Sequence, residues 1–259
     1  MDLGIKNRTA LVCASSQGLG LACATALARE GAKVVINGRN QERLNKATQE
    51  IRAKTGIDVT HILADITTPA GRQTILEACP APDILINNNA GPAPGQLADW
   101  DHDAWIHALE ANMLAPILLI RAYVPGMRER QFGRIVNITS AMVKSPRPHM
   151  ALSTSARTGL TAFSKSLSLD VAVDNVTLNN LLPERIDTPR QTFMAERLMK
   201  LHNISMEEAR QRITDTVAAK RFGTPDEFAD ACAFLCSAQA GFISGQNLQL
   251  DGGSYHGLI

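Results

Sequence analysis

Ser153 and Arg157, in MALSTSARTGL, are a hydroxyl and a cation four residues apart. On a helix those positions share a face, so both would point into one site. A guanidinium is a fork of donors able to grip sugar hydroxyls, but it does not give up its proton under ordinary conditions. An aliphatic hydroxyl is a far weaker acid than a phenol, whose pKa is about 10. The pair can hold and polarise, but it is a poor proton source. A second group lies in CASSQGLG, where Ser15, Ser16, Gln17, Gly18, Leu19 and Gly20 follow an apolar run and open a helical pattern. Glycines there let the backbone approach a pyrophosphate, and a helix N-terminus offers unpaired N–H groups and a positive dipole end. A third is Asn37-Gly38-Arg39-Asn40. NAD needs an acid at this point for its ribose hydroxyls, but Gly38 stands there. Arg39 instead offers a fork suited to a 2′-phosphate, so NADP(H) is expected over NAD(H).

These residues need a frame. Strands are expected at 9–14, 33–37, 59–64, 83–88, 134–139, 176–182 and 247–251. The runs at 9–14 and 134–139 lack strict alternation, as strands buried on both faces do. Between them lie helical patterns near 18–30, 40–54, 68–78, 100–130, 150–173 and 226–237, the fifth with an apolar stripe at Leu152, Ala156, Leu160, Phe163, Leu167 and Val171. Such alternation predicts a single-domain α/β fold, a doubly wound, Rossmann-like parallel sheet of seven strands. Ligands bind such sheets beyond the strand carboxyl ends, where the winding reverses. The segment 189–224 breaks the rhythm and carries Met194, Met199 and Met206, reading as a substrate loop or lid or as a surface helical hairpin.

Composition narrows the partners. With 259 residues, 45% apolar, one large core can form. A net charge of +1 and no basic run give no footprint for nucleic acid or anionic lipid. The longest uncharged apolar stretch, 113–120, is too short to cross a bilayer, and the N-terminus lacks signal-peptide architecture. Five cysteines without metal-ligand grouping read as reduced, buried thiols of a cytoplasmic protein, with no metal site.

Taken together, the motifs resemble the short-chain dehydrogenase/reductase family, in the size class of bacterial 3-oxoacyl-carrier-protein reductases, over nearly the whole chain. Asn88-Asn89-Ala90-Gly91 resembles its turn after the fourth strand, which supports sheet and cofactor ribose. The resemblance implies that Asp65 holds the adenine, that Asn112 belongs to a proton relay, and that Ser140, closing IVNITS, is the catalytic serine. It implies that Pro183 to Thr188 grips the nicotinamide through Ile186 and Thr188, and that SGQNLQLDGG is the last strand of a homotetramer or dimer. Three departures stand out. Ala14 replaces the first turn glycine, Glu184 replaces the glycine after Pro183, and Ser153 and Arg157 stand where the family has its tyrosine and lysine. Ser153 ends roughly 4 Å short of a phenol oxygen, by summing covalent bonds. Arg157 keeps the charge and a place on the ribose.

Lys144, His149 and Glu184 are possible substitute proton carriers, each also readable as an ordinary rim residue, and Glu184 as a partner of Arg185 or Arg157. The expected activity is hydride transfer between NADP(H) and a small carbonyl or alcohol, with Ser140 polarising the substrate and an altered relay. The alternatives are a silent NADP(H)-binding module for sensing or assembly, and an elimination or isomerisation beside a bound cofactor.

Overall fold

A computed structural model describes residues 1–258. Its sheet is built from β1 (Thr9–Val12), β2 (Lys33–Gly38), β3 (Thr60–Leu63), β4 (Ile84–Asn87), β5 (Gly133–Ile138), β6 (Val176–Pro183) and β7 (Asn247–Leu250). All neighbours pair in parallel in the order β3-β2-β1-β4-β5-β6-β7. The winding reverses between β1 and β4, which opens a crevice at their carboxyl ends.

Side chains along β1 go alternately to two cores: Ala10 and Val12 join one cluster, Leu11 the other. In β4, Ile84 and Ile86 split from Leu85 in the same way. Both faces are apolar, which is why the runs lack alternation in sequence. Helices α1 (Gly18–Arg29), α2 (Gln41–Thr55) and α9 (Pro225–Leu235) supply the first cluster. The second draws on α3 (Pro69–Ala78), α5 (Ala115–Glu129) and α6 (Ala151–Val171).

Register across the right half of the sheet is pinned by an asparagine ladder. Asn87, Asn137, Asn180 and Asn247 stand opposite one another on β4 to β7, joined by side-chain amide bonds of 2.9, 3.0 and 2.9 Å. A one-residue slip would break all three bonds and exchange the two faces.

Two expectations need revision, and an alternative left open is resolved. The first strand ends at Val12, two residues early, because Ala14 already turns at φ 43°. The helix expected at 100–130 is α4 (His102–Leu109) running through a π-helical turn, Glu110–Leu114, into α5. By length and composition His102–Glu129 could cross a membrane, yet Leu119, Ile120, Tyr123 and Met127 are packed in the core. The segment 189–224 holds a helical hairpin, α7 (Pro189–His202) and α8 (Met206–Asp215). Ala195, Ala209 and Ile213 form its own small core, with Met194, Met199 and Met206 against it.

Candidate active site

A cleft of about 710 Å³ runs across the carboxyl ends of the strands. At its centre, the β1–α1 turn is shaped by close approach. A Cβ on Gly20 would lie 2.6 Å from the Ala14 carbonyl oxygen and 2.8 Å from Ser15 Cα, so no larger residue fits. Gly18 has φ +59°, which glycine adopts without strain. Asn37 accepts from the Ala14 N–H at 3.4 Å and donates to Ile62 and Ala64 carbonyls, tying the turn to the second and third strands.

Side chains cap α2, α3, α4, α8 and α9 through Asn40, Thr68, Asp101, Ser205 and Thr224. No side chain caps α1 at Gln17 or α7 at Thr188. These two N-termini meet, with a Cβ on Gly18 only 3.9 Å from Thr188 Cβ. Uncapped first-turn N–H groups from two helices suit a pyrophosphate.

One end of the cleft suits the adenosine half of a dinucleotide. Arg39 Nη1 donates to Asp65 Oδ2 at 3.3 Å, with its side chain 66% exposed. Burial raises the Asp65 pKa, but hydrogen bonds from Thr67 and Arg39 outweigh it and hold the group below its ordinary value. Space for an acid at position 38 is short, since a Cβ there would meet Leu44 and Ser16 at 3.2–3.3 Å. Asn40 accepts from the Arg43 N–H at 2.9 Å, so its side chain is engaged as a cap. Arg43 itself reaches Gln17 Oε1 at 3.5 Å and lines the cleft. The sequence reading missed this second cation; its signal was the position one helical turn beyond Arg39.

The Ser153–Arg157 pair lies deeper. Both are buried on α6, and Arg157 Nε donates to Ser153 Oγ at 3.2 Å. Nη1 donates to the carbonyls of Ile138 (2.6 Å) and Thr139 (3.1 Å), and Nη2 to that of Asn89 (3.2 Å). Four of five guanidinium donors are thereby committed. A two-pronged grip on ribose hydroxyls, the expected role of Arg157, is not open in this arrangement. Burial, then the charge of Arg190, lowers its pKa to about 10, so it remains a cation at neutral pH. Gly91 stands over the pair: a Cβ there would lie 3.5 Å from Arg157 Nη2 and 3.6 Å from Ser153 Oγ. Ser140 Oγ accepts from the Met142 N–H at 3.2 Å, which leaves its own proton to donate.

Behind Arg157 a separate cavity of about 10 Å³ is lined by Asn87 and Asn112, whose Oδ1 atoms are buried without hydrogen-bond partners. Asn112 sits in the π-helical turn, and Pro116 has no N–H to give its carbonyl four residues back.

Beyond Ser140 the cleft is rich in arginine. Arg147, Arg185 and Arg190 line it with His149, Phe193 and Met194. Glu184 pairs with Arg147 and, at 3.8 Å, with Arg185, rather than with Arg157. Burial and then Arg147, Arg197 and Arg185 lower the His149 pKa. Lys144 does not line the cleft; its ammonium lies 5.3 Å from the Tyr255 ring centroid.

Most of the expected residues therefore share one cleft: Ser16, Gln17, Gly18, Leu19, Arg39, Asn40, Asp65, Asn89, Ala90, Gly91, Ser140, Ser153, Arg157, Pro183, Ile186 and Thr188. Three do not. Ser15 is buried, donating to the Val12 carbonyl at 2.6 Å and accepting from the Asn37 N–H at 3.0 Å, so its side chain builds the turn. Gly20 packs beneath that turn, and Asn112 lies in the small cavity.

Comparison with known proteins places this geometry. The family described as Enoyl-(Acyl carrier protein) reductase matches residues 13–255. The NADPH-dependent reductase BacG of Bacillus subtilis (strain 168) is 34% identical, over 96% of this chain and 98% of that protein. Dehydrogenase/reductase SDR family member 4 of Bos taurus is 34% identical, over 96% and 88%. The crystal structure of L-sorbose reductase from Gluconobacter frateurii, complexed with NADPH and L-sorbose, superposes with TM-score 0.93 at 31% identity, covering both chains fully. The chain belongs to the short-chain dehydrogenase/reductase family.

Proposed function

We propose that this protein is an NADP(H)-dependent oxidoreductase that moves hydride between the nicotinamide and a small carbonyl or alcohol substrate. One observation carries the reading. A single cleft is lined by Arg39, the uncapped α1 turn and Ser140, groups suited to a 2′-phosphate, a pyrophosphate and a reacting carbonyl. Relatives point the same way: BacG is named as NADPH-dependent, and the L-sorbose reductase structure holds NADPH. When bound, the dinucleotide supplies the hydride chemistry. The chain's own residues orient and polarise. Arg39 and Arg43 bind the phosphate on the ribose, and the α1 and α7 N-termini face the pyrophosphate. Ile186 lines the same cleft. Ser140 donates its proton as a hydrogen bond to the substrate carbonyl oxygen.

Proton delivery then falls to a solvent water held by the Ser153 hydroxyl, which passes its proton to the reduced carbonyl oxygen and is replenished from solvent. The Ser153 oxygen accepts from Arg157 Nε, so its own O–H is directed away from the cation. The short side chain reaches the carbonyl through that water, which Arg157 polarises. A lost general acid costs about 10²–10⁴ in rate, which leaves hydride transfer measurable.

A second reading is a silent NADP(H)-binding module. The commitment of the Arg157 donors to main-chain carbonyls favours it, because a guanidinium so engaged serves structure. Turnover separates the two. The enzyme reading expects NADPH oxidation with at least one member of a broad ketone and oxo-acid panel; tight NADPH binding with no oxidation across that panel would transfer the site to the second reading.

A further inference from the structure

The arginines beyond Ser140 serve no purpose described so far. The substrate end of the cleft is walled by four guanidiniums, Arg147, Arg157, Arg185 and Arg190, against the single carboxylate of Glu184. Like charges gathered in a cleft repel, and such an arrangement suits a ligand of opposite sign. Arg147 is paired with Glu184, Arg157 has four of its five donors engaged by three carbonyls and Ser153, and Arg190 donates to the Pro92 carbonyl at 3.0 Å. Arg185 differs. Its Nε is buried with no hydrogen-bond partner, its side chain is 14% exposed, and its nearest ionic contact is the shared Glu184 at 3.8 Å.

The backbone of Arg185 adds an independent observation. It sits at φ 57°, a left-handed conformation unusual for any residue but glycine. The surrounding chain forces it: Glu184 N–H donates to Leu250, Gly223 N–H to the Arg185 carbonyl, and Asp187 N–H to Gly223, at 2.8–3.0 Å. Strain held in this way marks functional positions. Here it delivers to the cleft, next to the end of β6, a guanidinium whose Nε has no hydrogen-bond partner and whose one ionic contact is the long one to Glu184.

We propose that the substrate carries an anionic oxygen group, a carboxylate or a phosphate, gripped by Arg185 while Ser140 takes the carbonyl. This deepens the oxidoreductase reading and rests on it for the reacting carbonyl, though not for the anion site. The pyrophosphate is not the intended ligand, because its cradle is the α1–α7 meeting point at Gly18 and Thr188. Guanidinium forks bind both anions in two-pronged fashion. Phe193 and Met194 leave an apolar wall for the rest of a small molecule.

The test uses matched probes on the NADPH-loaded protein and the free protein: acetoacetate against methyl acetoacetate, and dihydroxyacetone phosphate against dihydroxyacetone. Binding is followed by calorimetry and by the NMR signals of His149, which lies among the same arginines. One charged probe is expected to bind about 30-fold tighter than its neutral match, the effect of one charge-assisted hydrogen bond of ordinary strength. Arg185→Gln is expected to erase that ratio while NADPH affinity stays within about twofold. The carboxylate pair and the phosphate pair decide which anion is meant. Equal binding of charged and neutral probes overturns the proposal. So does a parallel loss of NADPH affinity in Arg185→Gln, which would give the cluster to the cofactor. Charged-probe preference in a protein that binds no dinucleotide would uphold the anion site and sink the oxidoreductase reading instead.

Discussion

The two ends of the cleft use arginine in opposite ways. At the end near β2, Arg39 is largely exposed, held by one long contact to Asp65, and free to exchange that partner. An exposed pair of this kind contributes little to stability. At the end near Ser140, Arg157 is buried, with four of its five donors engaged by three carbonyls and the Ser153 hydroxyl and no carboxylate partner. Its role in the fold is correspondingly larger. The same side chain is thus free to change partners where water reaches it and works as a tie between β5, the β4 turn and α6 where water does not.

That contrast can be broken by substitution. The largest effect is expected from Arg157→Met, which strands the Ile138, Thr139 and Asn89 carbonyls. Chemical denaturation should show a loss of about 3 kcal/mol, the scale of orphaned buried acceptors and lost charged hydrogen bonds. Gly20→Ala follows, because its Cβ would overlap the Ala14 carbonyl. Dinucleotide affinity should fall by about 100-fold, from roughly 3 kcal/mol of overpacking in the turn. Ser153→Ala should lower NADPH-dependent turnover by about 100-fold, at the low end for a lost proton carrier, with NADPH affinity unchanged. Arg39→Ala should weaken NADPH by about 10-fold and leave NADH as it was, by fluorescence titration.

The smallest effect concerns pH. Burial, then Arg147, Arg197 and Arg185, holds His149 below its ordinary value of about 6.5. The unfolded chain takes up this proton before the folded one does. The stability that goes with neutral His149 is therefore complete above about pH 6.5 and is lost as pH falls from there toward the folded-state pKa. NMR titration should place His149 below 6.5, and Arg147→Ala should move it upward.

The sequence carried most of the frame. Apolar runs placed the seven strands to within a residue or two, and CASSQGLG placed the tight turn that opens α1, because local composition dictates both. Residues set by tertiary contact were not legible. Nothing local says that Arg157 spends its donors on Ile138, Thr139 and Asn89, since those carbonyls come from two other strand ends. The pairing of Glu184 with Arg147 spans 37 residues, and nearer arginines looked equally suitable. Ser15 reads like its neighbours in the turn, yet its hydroxyl faces inward to Val12 and Asn37. The left-handed Arg185 is invisible in a string of letters, because the bonds that impose it come from Gly223 and Leu250.

The central claim is that the turn at Gly18 and the guanidinium of Arg39 together receive a phosphorylated pyridine dinucleotide. Calorimetric titration of the purified protein with NADPH and NADH addresses it most directly. NADPH is expected to bind at least about 10-fold more tightly than NADH, the effect of one charge-assisted contact. Equal affinities would contradict the role of Arg39, and no heat of binding with either would contradict the account as a whole.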